Sequence, residues 1–244
     1  MGWWSKVKKF VKKVVRKVKA AVRAAVRVIA EFFARIIDLY DLLFGFLTWP
    51  PKKLRIHIAI LRNEKGGQLV DPITHDPVDA VDLDPAIRYA TRVLKDRLNV
   101  KLMAYGKPMV QILDGPAPTA ALQVHCDGGA LGDEFDEAGE YFAGHLAGWN
   151  AIPISLGFPI TVFVVRDVAG KDGCSLGPLT DYVTVDLDGV KTDSLMTHEI
   201  GHALGQIGHL GDVSNLMFAS HSRGDRLRWW QKNLFRNSRH VTYL

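Results

Sequence analysis

The sequence predicts an α+β fold of α/β-like order, in which a long N-terminal amphipathic helix precedes a domain with a mixed, twisted sheet. Apolar residues from Val7 to Leu47 recur every three or four positions, which is the α-helical period. After Pro50-Pro51, strand-like runs alternate with helical patterns. The chain has 244 residues, of which 48% are hydrophobic and 23% charged, as expected for one globular domain with an appendage.

The net charge of +5 divides into a basic segment and a mildly acidic domain. Residues 1–30 carry ten Lys and Arg side chains and no Asp or Glu, and residues 31–53 hold three of each sign. By difference, the remaining 191 residues hold 18 positive and 23 negative side chains, a net charge of −5. We therefore predict a helical arm over residues 1–49, a Pro-rich linker over 50–53 and a globular domain over 54–244.

The arm is predicted to be helical from about residue 5 to residue 47, because proline at 50 and 51 cannot continue a helix. A signal peptide or a membrane span is not predicted, since four charges interrupt the apolar half: Glu31, Arg35, Asp38 and Asp41. Basic residues follow the helical period opposite the apolar ones, which is typical of a helix lying on a membrane or other anionic surface. The expected contacts are two aromatic and six basic side chains: Trp3, Trp4, Lys8, Lys12, Arg16, Lys19, Arg23 and Arg27.

Two other interpretations of the arm stay open. It could pack on the following domain, or it could associate with partner helices as a coiled coil. Nucleic-acid binding is the least expected, because basic charge alone attracts phosphate and no recognised nucleic-acid-binding module follows. The location of the protein is left unknown, and membrane association and a non-classical export route both fit the arm.

The elements of the domain follow in order. Leu54–Leu61 alternates apolar and polar residues and predicts a strand, and Asp84-Pro85 begins a helix that extends to about Leu98. Four further strands are predicted: Val100–Leu113, Ala120–Cys126, the β-branched and therefore buried run Ile160–Val165, and Tyr182–Leu187. Three further helices are predicted: Asp133–Trp149, Lys191–Gly205 and Arg223–Phe235.

Residues 198–202 read His-Glu-Ile-Gly-His on the helix predicted from Lys191. Residues i and i+4 share one face of a helix, so His198 and His202 can present ring nitrogens to one metal ion. Glu199 lies beside them, where it can reach a metal-bound water without being a ligand. Catalytic zinc takes three protein ligands and keeps one position open, so a third ligand is expected.

Gly205, His209 and the run Asn215-Leu216-Met217-Phe218 follow this pair of histidines. The motif, which covers about twenty residues, resembles that of the metzincin clan of zinc metallopeptidases, and the stretch from His209 to Met217 is similar to the matrixin branch. The resemblance implies a metzincin-type catalytic domain with an active-site helix, one zinc ion, Glu199 as general base, and Met217 in a turn beneath the metal. The implied metal ligands are His198, His202 and His209.

One departure from the clan pattern concerns the third ligand. Three residues, Gln206-Ile207-Gly208, separate Gly205 from His209, where the clan has two. Either a one-residue bulge at Gly208 still delivers His209, or Asp212 completes the site.

The function implied is a zinc endopeptidase that acts on protein or peptide substrates and is carried to a surface by the arm. The loop Leu210–Arg223 is expected to line the pocket for the residue after the cut bond, and Ile160–Val165 or Tyr182–Leu187 to hold the substrate at its edge. An alternative is a membrane-active toxin, or a secretion-system cargo, in which the arm is the main effector or docking element. Cys126 and Cys174 could form one disulfide.

Overall fold

The arm is helical in the computed structural model, which describes residues 3–37, 39–44, 47–126, 136–148 and 157–243. Helix α1 spans Trp3–Ile37 and helix α2 spans Leu39–Phe44, so the predicted helix is confirmed over these two ranges. Residues 38, 45 and 46 of the predicted helix lie outside the described residues. No helix in the described ranges is long and apolar enough to cross a bilayer.

Helix α1 meets the domain through its small and basic residues and turns its apolar stripe to solvent. Ala20, Arg27 and Ala34 are 5%, 8% and 1% exposed. Val18 and Val22, on the opposite side of the helix, are 57% and 58% exposed. The acidic domain attracts the basic face of the arm. Packing on the domain, one of the two open alternatives, is therefore observed, and it uses the polar face rather than the apolar one.

The domain contains strands and helices in alternation. Its strands are β1 (Lys52–Ile60), β2 (Val100–Ala104), β3 (Val110–Ile112), β4 (Gln123–Val124), β5 (Ile160–Val164), β6 (Asp167–Val168), β7 (Gly173–Cys174), β8 (Tyr182–Val185) and β9 (Val241–Thr242). Its helices are α3 (Asp84–Leu98), α4 (Thr119–Leu122), α5 (Glu137–Gly144), α6 (Leu187–Val190), α7 (Leu195–Ala203) and α8 (Trp229–Arg236).

Seven strands of the described ranges form one mixed sheet, which confirms the predicted fold class. The order β2-β1-β5-β8-β7 runs across the sheet, with β3 and β9 also paired to β1. β2, β3 and β5 are parallel to β1, and β8 is parallel to β5, whereas β7 and β9 are antiparallel to their neighbours. Every residue of β5 is buried, as its β-branched run predicts. Helix α7 contacts both β7 and β8, which places the His-Glu-Ile-Gly-His motif beside the antiparallel end of the sheet.

Several elements of the structure differ from those predicted. The single strand predicted at Val100–Leu113 is two strands, β2 and β3, which pair with successive parts of β1. Residues 120–126 begin inside α4 and continue into the short β4, because Pro118 initiates a helical turn in an Ala-rich stretch. The helix predicted at 133–149 is observed as α5, and residues 133–135 and 149 lie outside the described residues.

The remaining differences lie at element ends. β1 begins at Lys52, inside the segment predicted as a linker. Residues 187–190 form the separate helix α6, capped by Asp186, whose side chain accepts a hydrogen bond from the Gly189 amide, and α7 therefore begins only at Leu195. The C-terminal helix α8 begins at Trp229 rather than near residue 223. Cys126 and Cys174 form a disulfide, which joins the end of the β4 segment to β7.

Candidate metal centre

Three histidines converge on one point at the C-terminal half of α7. The Nε2 atoms of His198 and His202 are 3.2 Å apart, and the Nε2 atom of His209 lies 3.1 Å from the first and 3.3 Å from the second. His198 and His202 come from one face of α7, one turn apart, and His209 comes from the loop that follows. The structure thus brings together the three predicted ligands as a group that could hold a metal ion.

Hydrogen bonds fix the protonation of the two helical histidines. The Nδ1 atom of His198 lies 2.8 Å from the Leu216 carbonyl oxygen, and that of His202 lies 2.7 Å from the Gln206 carbonyl oxygen. A carbonyl oxygen only accepts, so each Nδ1 donates, and in the neutral ring each Nε2 then carries a lone pair. Two lone pairs facing each other at 3.2 Å repel, and a cation between them removes that repulsion. The donor set therefore fits a metal ion.

Burial keeps these rings neutral. Removal from water lowers the pKa of His198 to about 3 and of His202 to about 4, with the carbonyl hydrogen bonds opposing the shift. The pKa of His209 is also lowered, first by its partial burial and then by the charges of Arg223 and Lys171. Neutral imidazole is the form that binds a metal ion. The three rings can therefore bind a metal ion at physiological pH without first losing a proton.

The third position of the triad belongs to His209 rather than Asp212. Gly205 and Gly208 adopt positive φ angles of 113° and 78°, which lets the chain turn back and absorb the extra residue before His209. Asp212 is outside the group of converging donors. Its Oδ1 instead accepts hydrogen bonds from the backbone N and side-chain Oγ of Ser214, at 3.0 Å and 2.8 Å. Of the two alternatives, the turn through Gly208 is the one that brings a side chain to this group.

We expect His209→Ala to reduce the affinity for Zn²⁺ by more than about 100-fold, since even residues that only orient a ligand contribute 10- to 100-fold. Asp212→Ala should leave the affinity within a few-fold of the parent. Titration of the metal-free full chain with Zn²⁺, followed by calorimetry, measures both, and a Co²⁺ titration reports the ligand field by its visible absorption. Loss of binding in Asp212→Ala with retention in His209→Ala would reverse the assignment.

Met217 is fully buried and packs against α7 at Gly201. Its backbone N donates to Asn215 Oδ1 at 2.8 Å, which closes a tight turn, and its carbonyl oxygen accepts from the Leu210 amide at 2.9 Å. A Cβ atom placed on Gly201 would lie 2.5 Å from the Met217 sulfur. Glycine between Glu199 and His202 therefore allows the methionine turn to approach α7 closely.

A buried amide cluster braces this turn and was not predicted from the sequence. Gln231 of α8 donates to Gln206 Oε1 at 2.7 Å and to Asn215 Oδ1 at 3.1 Å, and it accepts from Asn215 Nδ2 at 2.8 Å. Because Gln206 also accepts the His202 hydrogen bond through its carbonyl oxygen, the cluster connects α8 to the metal ligands. No local pattern connects residues separated by 25 positions, so this cluster has no sequence signal.

Glu199 is buried beside the triad, against strand β7. Burial raises its pKa to about 8, and the charges of Arg223 and Lys171 oppose that shift. A Cβ atom on Gly173 of β7 would lie 2.9 Å from Glu199 Cγ and 3.0 Å from Oε1. Because Gly173 has no side chain, the edge of the sheet can approach the carboxylate directly. This contact, like the amide cluster, was not predicted from the sequence.

The strand beside the site is not one of those expected to hold a substrate. β5 is paired on both sides, by β1 and β8, and β8 lies between β5 and β7. The last strand on this side of the described sheet is the antiparallel β7. Our expectation for Ile160–Val165 is therefore wrong, because β5 has no free edge. In β8 the short β7 pairs only with Thr184 and Val185, so the expectation for Tyr182–Leu187 stays a prediction.

The eight arm residues predicted to contact a surface divide into two groups. Five are exposed along α1: Trp3, Trp4, Lys8, Lys12 and Lys19. Arg16 instead pairs with Asp136 at 2.9 Å and Arg27 pairs with Asp181 at 2.5 Å. Arg23 is half-buried, and burial followed by repulsion from Arg27 lowers its pKa. These three arginines face the domain, and its carboxylates neutralise Arg16 and Arg27.

Comparison with protein-family models and with curated proteins gives no match for this chain. What the structure establishes is a histidine triad that could hold a metal ion, on a mixed α/β fold with a long N-terminal helix.

Proposed function

We propose that the protein is a zinc-dependent endopeptidase that hydrolyses peptide bonds in proteins. The observation that carries this proposal is the convergence of three neutral histidine nitrogens next to one buried carboxylate, all within twelve residues of chain. Three nitrogen ligands suit zinc, and a three-ligand site leaves a position for a reacting molecule. The metzincin resemblance of the motif points to the same chemistry.

His198, His202 and His209 would hold the ion, and Glu199 would move the protons. When bound, zinc supplies Lewis acidity that activates a water molecule and polarises the scissile carbonyl. Glu199 takes a proton on its carboxylate and delivers it to the leaving amine. A pKa near neutrality serves both steps, and burial against β7 raises the pKa of Glu199 toward that range.

The edge of β7 favours a peptide substrate. β7 is the terminal strand on this side of the described sheet, and its two residues are buried. An extended peptide can add to a terminal strand through main-chain hydrogen bonds, which hold many sequences in one register. Because Gly173 touches Glu199, a peptide paired along β7 would run past the carboxylate. The disulfide between Cys126 and Cys174 ties this strand to the β4 segment and restricts its movement.

Proteolysis by the purified full chain tests the proposal. We expect cleavage of unfolded protein and of quenched fluorescent peptides, about one zinc ion per chain, loss of activity with 1,10-phenanthroline and recovery on adding Zn²⁺. A preparation that holds one zinc ion per chain and cuts none of a diverse set of peptides would refute the peptidase.

We further propose that α1 places the enzyme on an anionic lipid surface. The specific observation is the apolar stripe of α1, which faces away from the domain although its members are large: Val11, Val14, Val18, Val22, Ile29, Phe32 and Ile36 are 43–62% exposed. Contiguous apolar surface of this length marks an interaction site. The exposed Lys8, Lys12 and Lys19 flank the stripe, so its charge complements anionic headgroups.

The domain holds α1 in the orientation that such binding requires. Arg16 and Arg27 are neutralised by domain carboxylates, which leaves the lysines beside the stripe for lipid. Trp3 and Trp4, 69% and 70% exposed, lie at the start of the helix, where indole rings favour the interface between water and hydrocarbon.

We expect the full chain to sediment with vesicles of phosphatidylcholine containing 30% phosphatidylglycerol, and to bind pure phosphatidylcholine vesicles more weakly. Replacing Val18 and Val22 together with Gln should weaken binding at least about tenfold, because each buried valine contributes about 1.5 kcal/mol or more. Val81→Gln is the matched control, since Val81 is 72% exposed outside α1.

Three outcomes would replace this assignment of the stripe. Dimerisation that the double Gln variant abolishes, without vesicle binding, would make the stripe an interface between copies of this chain. Neither vesicle binding nor dimerisation would point to a protein partner in a larger assembly. Release of a trapped dye at protein levels that merely saturate the vesicles would favour the membrane-active toxin.

A further inference from the structure

Arg223 is a buried arginine near the proposed catalytic groups, and the proposed mechanism does not use it. Arg223 is only 8% exposed and lies six residues after Met217. Its Nε donates to the Ser220 carbonyl oxygen at 3.0 Å, and Nη2 lies 3.4 Å from the Ala219 carbonyl oxygen. Two corners of the guanidinium thus hold its own loop.

The remaining nitrogen of the guanidinium, Nη1, is buried and has no hydrogen-bond partner among the described residues. A buried donor without a partner costs free energy, more so when it carries charge. The missing partner of such a group is commonly a water molecule, an ion or a ligand.

The charge of Arg223 reaches the whole candidate centre. It acts on Glu199 and on each histidine of the triad, lowering the pKa of all four groups. Its own pKa is lowered by burial, with Glu199, Tyr89 and Asp172 opposing. The hydrogen bonds of Arg223 go to its loop, so its attraction to Glu199 acts through space and leaves Nη1 available.

We propose that Nη1 of Arg223 binds a substrate carboxylate, so that the enzyme prefers Asp or Glu at the residue that follows the cut bond. This inference rests on the proposed peptidase function and adds its substrate class. Arg223 ends the loop Leu210–Arg223, which the metzincin resemblance implies as the lining of the pocket for the residue after the cut bond. Because Nε and Nη2 are held by carbonyl oxygens of the loop, Nη1 has a fixed position from which it can form a charge-assisted hydrogen bond. Lys171, whose charge also acts on Glu199 and His209, adds to the attraction for an acidic chain.

Paired peptides test this preference. Quenched peptides of one sequence, differing only by Glu or Gln after the cut bond, should show kcat/KM about 10- to 100-fold higher for Glu. Arg223→Gln should bring that ratio near one, and Arg223→Lys should restore part of it. Arg226→Gln, which removes an exposed charge from the same segment, is the matched control and should keep the parent ratio. Arg223→Met serves if the Gln variant fails to fold.

The outcomes separate this inference from the proposed function. Cleavage of both peptides at equal rates by the parent overturns the carboxylate preference and leaves the peptidase standing. An equal fall in kcat for both peptides in Arg223→Gln, with a shifted acidic limb of the pH profile, would make Arg223 a counter-ion of Glu199 instead. If no peptide is cut, calorimetry measures the binding of the Glu and Gln peptides to the zinc-loaded protein. Tighter binding of the Glu peptide that is lost in Arg223→Gln supports the carboxylate site without a peptidase, and equal binding of both peptides refutes it.

Discussion

Replacing Glu199 with Gln should lower kcat/KM for peptide cleavage by about 10²- to 10⁴-fold while the protein still binds one zinc ion. The amide has the size of the carboxyl group and fits the same space against Gly173, but it cannot accept a proton. The three histidines are untouched, so metal affinity should change little. Because Glu199 is buried, removing its charge also removes a desolvation cost, and we expect the variant to be at least as stable as the parent.

The control for this variant lies on the same helix, one residue before the triad. Thr197 is buried with its hydroxyl oxygen unpaired among the described residues, so Thr197→Val keeps the volume and removes a polar atom outside the proposed machinery. Zinc content, thermal midpoint and cleavage rate are measured on both variants. Full activity of Glu199→Gln with zinc bound would remove Glu199 from the mechanism. Loss of zinc in that variant would instead make the carboxylate part of the metal site.

The sequence predicts those parts of the molecule that are written in local patterns. The 3.6-residue period predicts α1, the β-branched run predicts β5, and the spacing of the histidines predicts the triad even with an extra residue before His209. Each of these signals depends on residues that are neighbours in the chain. The helical period also shows that α1 has two different faces.

What α1 packs against is a different question, which a local pattern does not answer. Burial of apolar surface usually decides the inner face of a helix, but here carboxylates of the domain select the basic face. The partners of Arg27 and Gln231 lie 154 and 25 residues away, and the contact of Gly173 with Glu199 joins a strand to a helix. Such contacts arise only once the chain has folded, and for that reason the edge strand β7 and Arg223 were missed.

Asp181 joins the arm to the domain, and Asp181→Asn should lower the free energy of unfolding by about 3–5 kcal/mol. Its Oδ2 accepts from Arg27 of α1 at 2.5 Å and its Oδ1 from Arg239 at 2.5 Å, and all three side chains are at least nine-tenths buried. Burial alone would raise the pKa of Asp181, but the charges of Arg239 and Arg27 outweigh it and hold the pKa below its ordinary value. The amide would leave two buried cations without a counter-charge.

A second carboxylate completes the connection from the arm side. Glu31 of α1 accepts a hydrogen bond from the Arg239 backbone N at 3.1 Å. His240, fully buried beside this cluster, has its pKa lowered to about 3, mainly by burial and then by Arg239, so it is neutral and adds no third cation. Arg239 Nη1 can therefore donate to its Nε2, 2.9 Å away.

The two pKa shifts give this cluster a pH dependence with a defined sign. Asp181 has a lower pKa folded than unfolded, so its contribution is present above the unfolded value of about 3.9 and is lost as pH falls through the folded one. His240 also has a lower folded pKa, so the unfolded chain takes up a proton first as pH falls below about 6.5. Both groups make the docked arm less stable in acid, the histidine from about pH 6.5 downward.

Urea unfolding of the full chain, followed by circular dichroism at pH 7 and at pH 5, measures both effects. Asp181→Asn should lower the midpoint at both pH values. His198 and His202 also lose stability as pH falls, and the raised pKa of Glu199 acts in the opposite direction, so the contribution of His240 is the part of the pH dependence that His240→Gln removes. Glu64→Gln is the matched control, because Glu64 pairs with Arg166 on the surface, where removing one partner should leave the midpoint nearly unchanged. Arg27→Met removes only the cation that α1 contributes. We expect faster tryptic cleavage within α1 and little change in the unfolding midpoint of the domain. If Asp181→Asn lowers the unfolding midpoint no more than Glu64→Gln does, and trypsin cuts these two variants at equal rates, this cluster does not hold α1 to the domain. The apolar stripe of α1 is then free to adopt another orientation.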